Sequence, residues 1–152
     1  MLSTPRQFFR FFAIAEVFSW TLLIGGLILR ATQGWDLAVT IGGGVHGFVF
    51  LSYGATAVLM SKNQRWSPGV AAVSIITAAI PYATIPVDIW LHRTGRLDGD
   101  WRRTATEDPR DHTWHDRLLR WIINHPLLSI VIILALVVAL YVTLLILGPP
   151  VG

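Results

Sequence analysis

FFRFFAIAEVFSWTLLIGGLIL, residues 8–29, is an apolar run of 22 residues interrupted by only two charges, Arg10 and Glu16. A helix needs roughly 20 mostly apolar residues to cross the hydrocarbon core of a bilayer. The apolar segment of a secretory signal is shorter, about 7–15 residues, and ends at a small-x-small cleavage pattern that does not follow here. The stretch is therefore expected to be a retained first membrane helix, with a carboxylate inside it.

Three further stretches meet the same length criterion: 37–60, 68–91 and 126–147. Composition agrees, since 53% of the 152 residues are hydrophobic and 14% charged, against about 25% charged in soluble domains. The charges concentrate between His92 and Arg120. Lipid leaves helices or closed barrels as spanning structures, and the alternating pattern of a barrel is absent. The expected fold is all-α, a bundle of four transmembrane helices with an interfacial amphipathic helix before the last. Residues 1–93 form a three-helix core, 94–125 a polar loop and interfacial helix, and 126–152 the fourth helix and tail. Short connections at 30–36 and 61–67 favour antiparallel, up-down-up neighbours.

Within 94–125, Trp114, Leu118, Trp121 and Ile122 share one helical face, with Arg117 and Arg120 opposite. That pattern suits a helix lying at headgroup depth, with tryptophans at the interface; a surface for a protein partner is the alternative. Asp111, His112, His115 and Asp116 form a polar cluster in which a divalent metal is a minor option beside a solvated charged face. The sequence has no cysteine, which excludes disulfides and thiolate metal sites. No basic stripe with interleaved aromatics points to nucleic acid. Counting Lys and Arg by the up-down-up topology places the 94–125 loop in the cytoplasm and both termini outside, although Arg6 and Arg10 argue the other way.

Candidate chemistry lies at the ionisable residues inside the apolar stretches. An acid at the centre of a span costs roughly 2.5–3.5 kcal/mol on insertion scales, so such groups are usually paired and functional. At 1.5 Å per residue, Glu16 and His46 each lie about 12 Å in from opposite faces, which brings their levels within side-chain reach. Asp88 is expected on the His46 side as an outer station, with Tyr53 two turns beyond His46 on its face. Gly43 and Gly47 have the small-xxx-small spacing of closely packed helices. Pro81 and Pro86 remove backbone hydrogen bonds in the third stretch, where Thr84 is placed to satisfy freed carbonyls. A structural Glu16–His46 pair that only fixes helix register is the plain alternative.

Taken together, Ala15-Glu16 with Ser19, His46-Gly47 with Tyr53, and Pro81-Tyr82-Ala83-Thr84 with Asp88 carry a resemblance. Over residues 9–90 the chain resembles a family of small bacterial integral membrane proteins of unknown function marked by an HG dipeptide in the second helix. Tyr82 stands where that pattern more often has Phe, and the polar segment and fourth helix extend beyond the three-helix core. The resemblance implies the bacterial inner membrane and brings no established activity.

The expected function is a non-enzymatic, multi-pass membrane protein whose Glu16, His46 and Asp88 handle a proton, ion or small ligand. No nucleophile elbow, metal-protease helix or phosphate-binding loop is present to argue for an enzyme. An assembly protein with a structural polar pair is the alternative, and a haem- or quinone-binding redox component around His46, Trp20, Tyr53 and Tyr82 the third. The sequence assigns no cofactor and leaves a metal open. The expected partners are the lipid bilayer, further copies of the chain, and a protein at 94–125.

Overall fold

The computed structural model describes residues 4–147, apart from the side chains at 133–134, 137–138, 140–142 and 144–147, and the described residues contain helices, turns and loops but no strand. They divide into two compact units, Met1–Trp101 and Arg102–Gly152.

The first unit is built on two long antiparallel helices, α1 (Pro5–Gln33) and α2 (Asp36–Asn63). Thr4 caps α1 by accepting a hydrogen bond from the Gln7 amide, and Pro5 occupies the first turn, where its missing donor costs nothing. Gly34 ends α1 in the left-handed region at φ 68°, returning its amide to the Arg30 and Leu29 carbonyls. Asp36 then opens α2 at the favourable end of its dipole and pairs with Arg30 at 2.9 Å.

The two helices touch backbone to backbone at Gly26 and Gly42. A Cβ on Gly26 would lie 2.6 Å from the Ala38 carbonyl oxygen, and one on Gly42 2.7 Å from that of Leu22. The expected packing glycines, Gly43 and Gly47, are off this seam. A Cβ at Gly43 would meet only a Leu23 methyl at 3.9 Å, and one at Gly47 nothing within 4 Å. The seam is one residue away, a rotation of about 100° on a helix of 3.6 residues per turn.

The inward face of α1 carries Phe9, Ala13, Glu16, Ser19 and Gly26, while large apolar side chains such as Phe18 and Leu22 point outward. On α2 the same holds for Phe48 and Leu51, the latter 71% exposed. Both helices are long and apolar enough to cross a membrane, and little of that apolar length is buried inside the protein. Small and polar residues inward with large apolar ones outward is the pattern of helices solvated by lipid.

The third apolar stretch is not one helix. It forms α3 (Pro68–Ile76), a 3₁₀ turn at Thr77–Ala79, and α4 (Thr84–Arg93). Ile80 is extended at φ −112°, as a residue before proline is driven to be, and Tyr82 follows in the left-handed region at φ 64°. Pro86 falls in the first turn of α4, where proline is tolerated. The chain therefore turns back. The Trp20 indole donates to the Ala78 carbonyl at the tip, Thr84 Oγ1 donates to the Ala13 carbonyl, and Arg10 meets Asp88. At the base, the Trp66 indole donates to the Arg96 carbonyl at 2.8 Å. The segment thus leaves and returns at the same end of the α1–α2 pair, a hairpin in place of the expected continuous third helix. Residues 94–101 complete this end, with Leu97 buried, Trp101 against Phe8 and Asn63 donating to the Asp100 carbonyl. The N-terminus and the start of the polar segment therefore share one side, contrary to the up-down-up count.

The second unit contains a 3₁₀ turn at Pro109–His112, α5 (Trp114–Asn124) and α6 (Pro126–Leu147). Arg102 bridges Asp111 at 2.7 Å and Asp116 at 2.9 Å. Asp111 also accepts from the Thr106 amide and hydroxyl, and Asp116 from the Thr113 hydroxyl. These bonds engage the carboxylates that the metal option required. Leu119 and Ile123 of α5 are buried, whereas Trp114, Leu118 and Trp121 are exposed. Arg120 donates to the Asp111 carbonyl and so lies on the inner side with Leu119, while Arg117 is exposed.

Gly42→Leu is expected to destabilise the helix pair by about 1–3 kcal/mol through overpacking against a carbonyl that cannot yield, whereas Gly47→Ala is tolerated; thermal melting in detergent checks both. In the second unit, burial alone would raise the Asp116 carboxyl, but the Thr113 and Arg102 hydrogen bonds and the Arg102 charge hold it below the usual range. A depressed carboxyl stabilises above its unfolded pKa of about 3.9 and stops doing so as pH falls through the lower folded value. Hydrogen-exchange protection at 102–116 should therefore fall in acid below about pH 4, and Asp116→Asn should flatten that dependence.

Candidate functional site

Glu16 sits on the inward face of α1 with a fully buried side chain, and His46 faces it from α2 with 12% of its side chain accessible. Their closest approach, Glu16 Oε1 to His46 Nδ1, is 3.8 Å, too long for a hydrogen bond. Ser19 closes the gap. Its Oγ lies 3.1 Å from Glu16 Oε2 and 2.9 Å from His46 Nδ1, and also 2.9 Å from the Glu16 carbonyl. The i, i+3 spacing of Glu16 and Ser19 on one helix makes this possible. Trp20 lies against the imidazole at 4.3 Å between ring centroids, and Phe50 at 6.0 Å closes the other flank. The result is a carboxylate, a hydroxyl and an imidazole in line, walled by aromatic rings.

Asp88 is elsewhere. Because α4 returns toward the start of α1, Asp88 Oδ2 accepts from Arg10 Nε at 2.9 Å. It lies at the N-terminal end of α1, not on the far side of His46 as a continuous third helix would require. Arg10, on the face of α1 toward α4, is the functional residue that the sequence reading passed over. The signal was available, since a second charge inside 8–29 required an acid partner. Thr84 is buried and ties α4 to α1 through the Ala13 carbonyl, so it fixes the hairpin. Pro81 lies at the hairpin tip, between the 3₁₀ turn and α4.

Tyr53, seven residues after His46 on α2, is fully buried, its ring against Phe9 at 5.5 Å between centroids. Glu16 Oε1, the Tyr53 hydroxyl and Asp88 Oδ1 are all buried with no hydrogen-bond partner in the chain. Buried polar atoms are nearly always paired in native proteins, so these three atoms stand out as acceptors or donors for exchangeable hydrogen bonds. Among the described residues, no group of three or more His, Asp or Glu side chains is arranged to hold a metal ion.

Fold and site together define a pair of helices long and apolar enough to cross a membrane, braced by a hairpin, around a buried carboxylate–hydroxyl–imidazole line. The chain belongs to the family described as "Domain of unknown function (DUF3817)", whose model matches residues 6–93 and so takes in Glu16, His46, Tyr53 and Asp88. It is also similar, at 35% identity over 91 residues, to "Putative membrane protein SCO5905" of Streptomyces coelicolor. That alignment covers 59% of this chain and 11% of the relative, so the chain spans about a tenth of the length of the protein it matches. No solved structure matches.

Arg10→Ala should leave the buried Asp88 carboxylate without its cation. Truncating one partner of such a pair costs upward of about 2 kcal/mol, and the partial exposure of Arg10 sets the lower end of that range. The double variant with Asp88→Asn should recover most of the loss. A double-mutant cycle of melting temperatures measures the coupling.

Proposed function

We propose that this is a non-enzymatic, multi-pass protein of the bacterial inner membrane whose Glu16–Ser19–His46 line binds and passes a single proton. In this reading α1, α2 and α6 cross the bilayer, with the hairpin α3–α4 entering only part way. The observation that carries it is Ser19 Oγ within hydrogen-bond distance of both a carboxylate and an imidazole nitrogen.

A serine hydroxyl has one hydrogen to donate and lone pairs to accept. With His46 as imidazolium, Nδ1–H donates to Ser19 Oγ, and the Ser19 hydroxyl donates to an ionised Glu16. With the proton on Glu16, the carboxyl Oε2–H donates to Ser19 Oγ, and the hydroxyl turns to donate to a neutral His46 Nδ1. Conversion moves one proton from imidazole to carboxylate, keeps two hydrogen bonds throughout and leaves the net charge at zero. Removing that proton leaves one negative charge buried between the helices. Charges at this depth are expensive, so occupancy of the site is coupled to how closely α1 and α2 pack. Histidine is the side chain whose ordinary titration falls in the physiological range.

Trp20, against the imidazole, is a built-in reporter. Its emission, taken as the difference between the native protein and Trp20→Phe, should change with pH in detergent. His46→Gln should abolish that change, and Ser19→Ala should alter its midpoint while the fold persists. Emission independent of pH in a folded protein would reduce the three residues to a fixed polar clasp.

A further inference from the structure

The polar groups are unevenly distributed along the helix pair. From the level of Trp20 toward the α1–α2 turn, residues 21–29 and 37–45 contain no charged side chain. Their two hydroxyls, Thr21 and Thr40, each donate to a carbonyl four residues back in their own helix. Here the helices are in backbone contact at Gly26–Ala38 and Gly42–Leu22, and the hairpin tip reaches Thr21, where the Tyr82 hydroxyl lies 3.4 Å from its Oγ1. Beyond Thr21, residues 22–29 and 37–45 carry no titratable side chain.

The other half differs. Running from Glu16 toward the start of α1, the chain presents the Tyr53 hydroxyl, Asp88 with its orphaned Oδ1, and Arg10, which is 42% exposed. His92, one turn beyond Asp88 on α4, adds a buried Nδ1 without a hydrogen-bond partner. The titratable and charged groups on this side are thus Arg6 and Arg10 on α1, Tyr53 on α2, Asp88 and His92 on α4, and Asp98 beyond it, which lines one cavity with Arg6 and Arg10. Tyr82 is at the hairpin tip, near Thr21, and α3 with its 3₁₀ turn contributes none.

We propose, building on the relay above, that Glu16–Ser19–His46 is a single-mouthed proton well: it exchanges with the membrane face at the α1 N-terminus through Asp88 and Tyr53, and that face is the cytoplasm. The side follows from the hairpin. Because α4 returns, Arg6, Arg10, Lys62, Arg65, Arg93 and Arg96 of the first unit all lie at one end, against Arg30 alone at the other, where Asp36 pairs with it. Lys and Arg gather on the cytoplasmic side of membrane proteins. A site closed to the opposite face cannot carry a proton across within one chain, so its output is a conformational response to cytoplasmic pH.

Sidedness is measurable because the chain has no cysteine. In spheroplasts, an impermeant maleimide should label the Gln33→Cys variant directly and the Asp100→Cys variant only after permeabilisation. The reverse pattern would overturn the cytoplasmic assignment. In proteoliposomes, an external pH step should shift the Trp20 signal by the fraction of molecules whose Asp100→Cys position is labelled from outside. The remainder should appear when a protonophore is added. A full shift before the protonophore, or one that follows the Gln33→Cys fraction, overturns the single mouth. A pH response in detergent together with either of those results removes the sidedness and spares the relay. No response under any condition removes both. Asp88→Asn should slow the shift at least several-fold, and an unchanged rate would overturn the assigned route.

Discussion

Backbone contact between α1 and α2 at Gly26 and Gly42 is the constraint on which the remaining structure depends. Helices in lipid gain little from burying apolar side chains against each other, because the tails outside are equally apolar. Their association rests on close approach and on hydrogen bonds. The two glycines allow the approach, and the polar line at Glu16, Ser19 and His46 supplies the bonds a turn or two further along. A carboxylate in this position is tolerable because it is withdrawn from lipid and given a hydroxyl partner. The same backbone contact closes the seam toward the α1–α2 turn, and the polar groups beside the hairpin supply the proposed way out; Ser19 also lines an apolar groove with Phe11, Phe18, Leu22 and Val45.

The hairpin itself is a consequence of where polar groups need cover. Tyr53 and Asn63 are buried in the half of the pair toward the start of α1. The segment 68–93 fills that half and stops at the level of Trp20, whose indole caps the Ala78 carbonyl at the turn. Backbone outside regular helix at membrane depth is tolerated where protein surrounds it, and the Trp20 and Thr84 hydrogen bonds are of that kind.

Much of this was legible in the sequence. The length of 8–29 and 37–60 set two antiparallel helices, and simple level arithmetic brought Glu16 and His46 together. The hairpin was hidden because 68–91 has the length and hydropathy of a crossing, and hydropathy does not sense direction. Its signals were conformational: Ile80 ahead of Pro81, and a Tyr82 that must adopt a left-handed backbone. The misplacement of Asp88 followed directly, since a continuous helix carries it to the wrong end. The packing glycines were missed by one residue because a run of three glycines at 42–44 does not say which one faces the neighbour. Ser19 stands three residues after Glu16 in the sequence, but its position between carboxylate and imidazole depends on side-chain distances that no spacing rule supplies.

The central claim is that one proton is shared along Glu16, Ser19 and His46, and the most direct test is the ¹⁵N spectrum of His46 in lipid. Magic-angle-spinning NMR of histidine-labelled protein, assigned with His46→Gln, reports whether Nδ1 carries a proton and in what hydrogen bond. The account predicts a His46 Nδ1 signal that changes with pH and whose protonation is altered by both Glu16→Gln and Ser19→Ala. A His46 signal that is constant with pH and indifferent to both substitutions would contradict it.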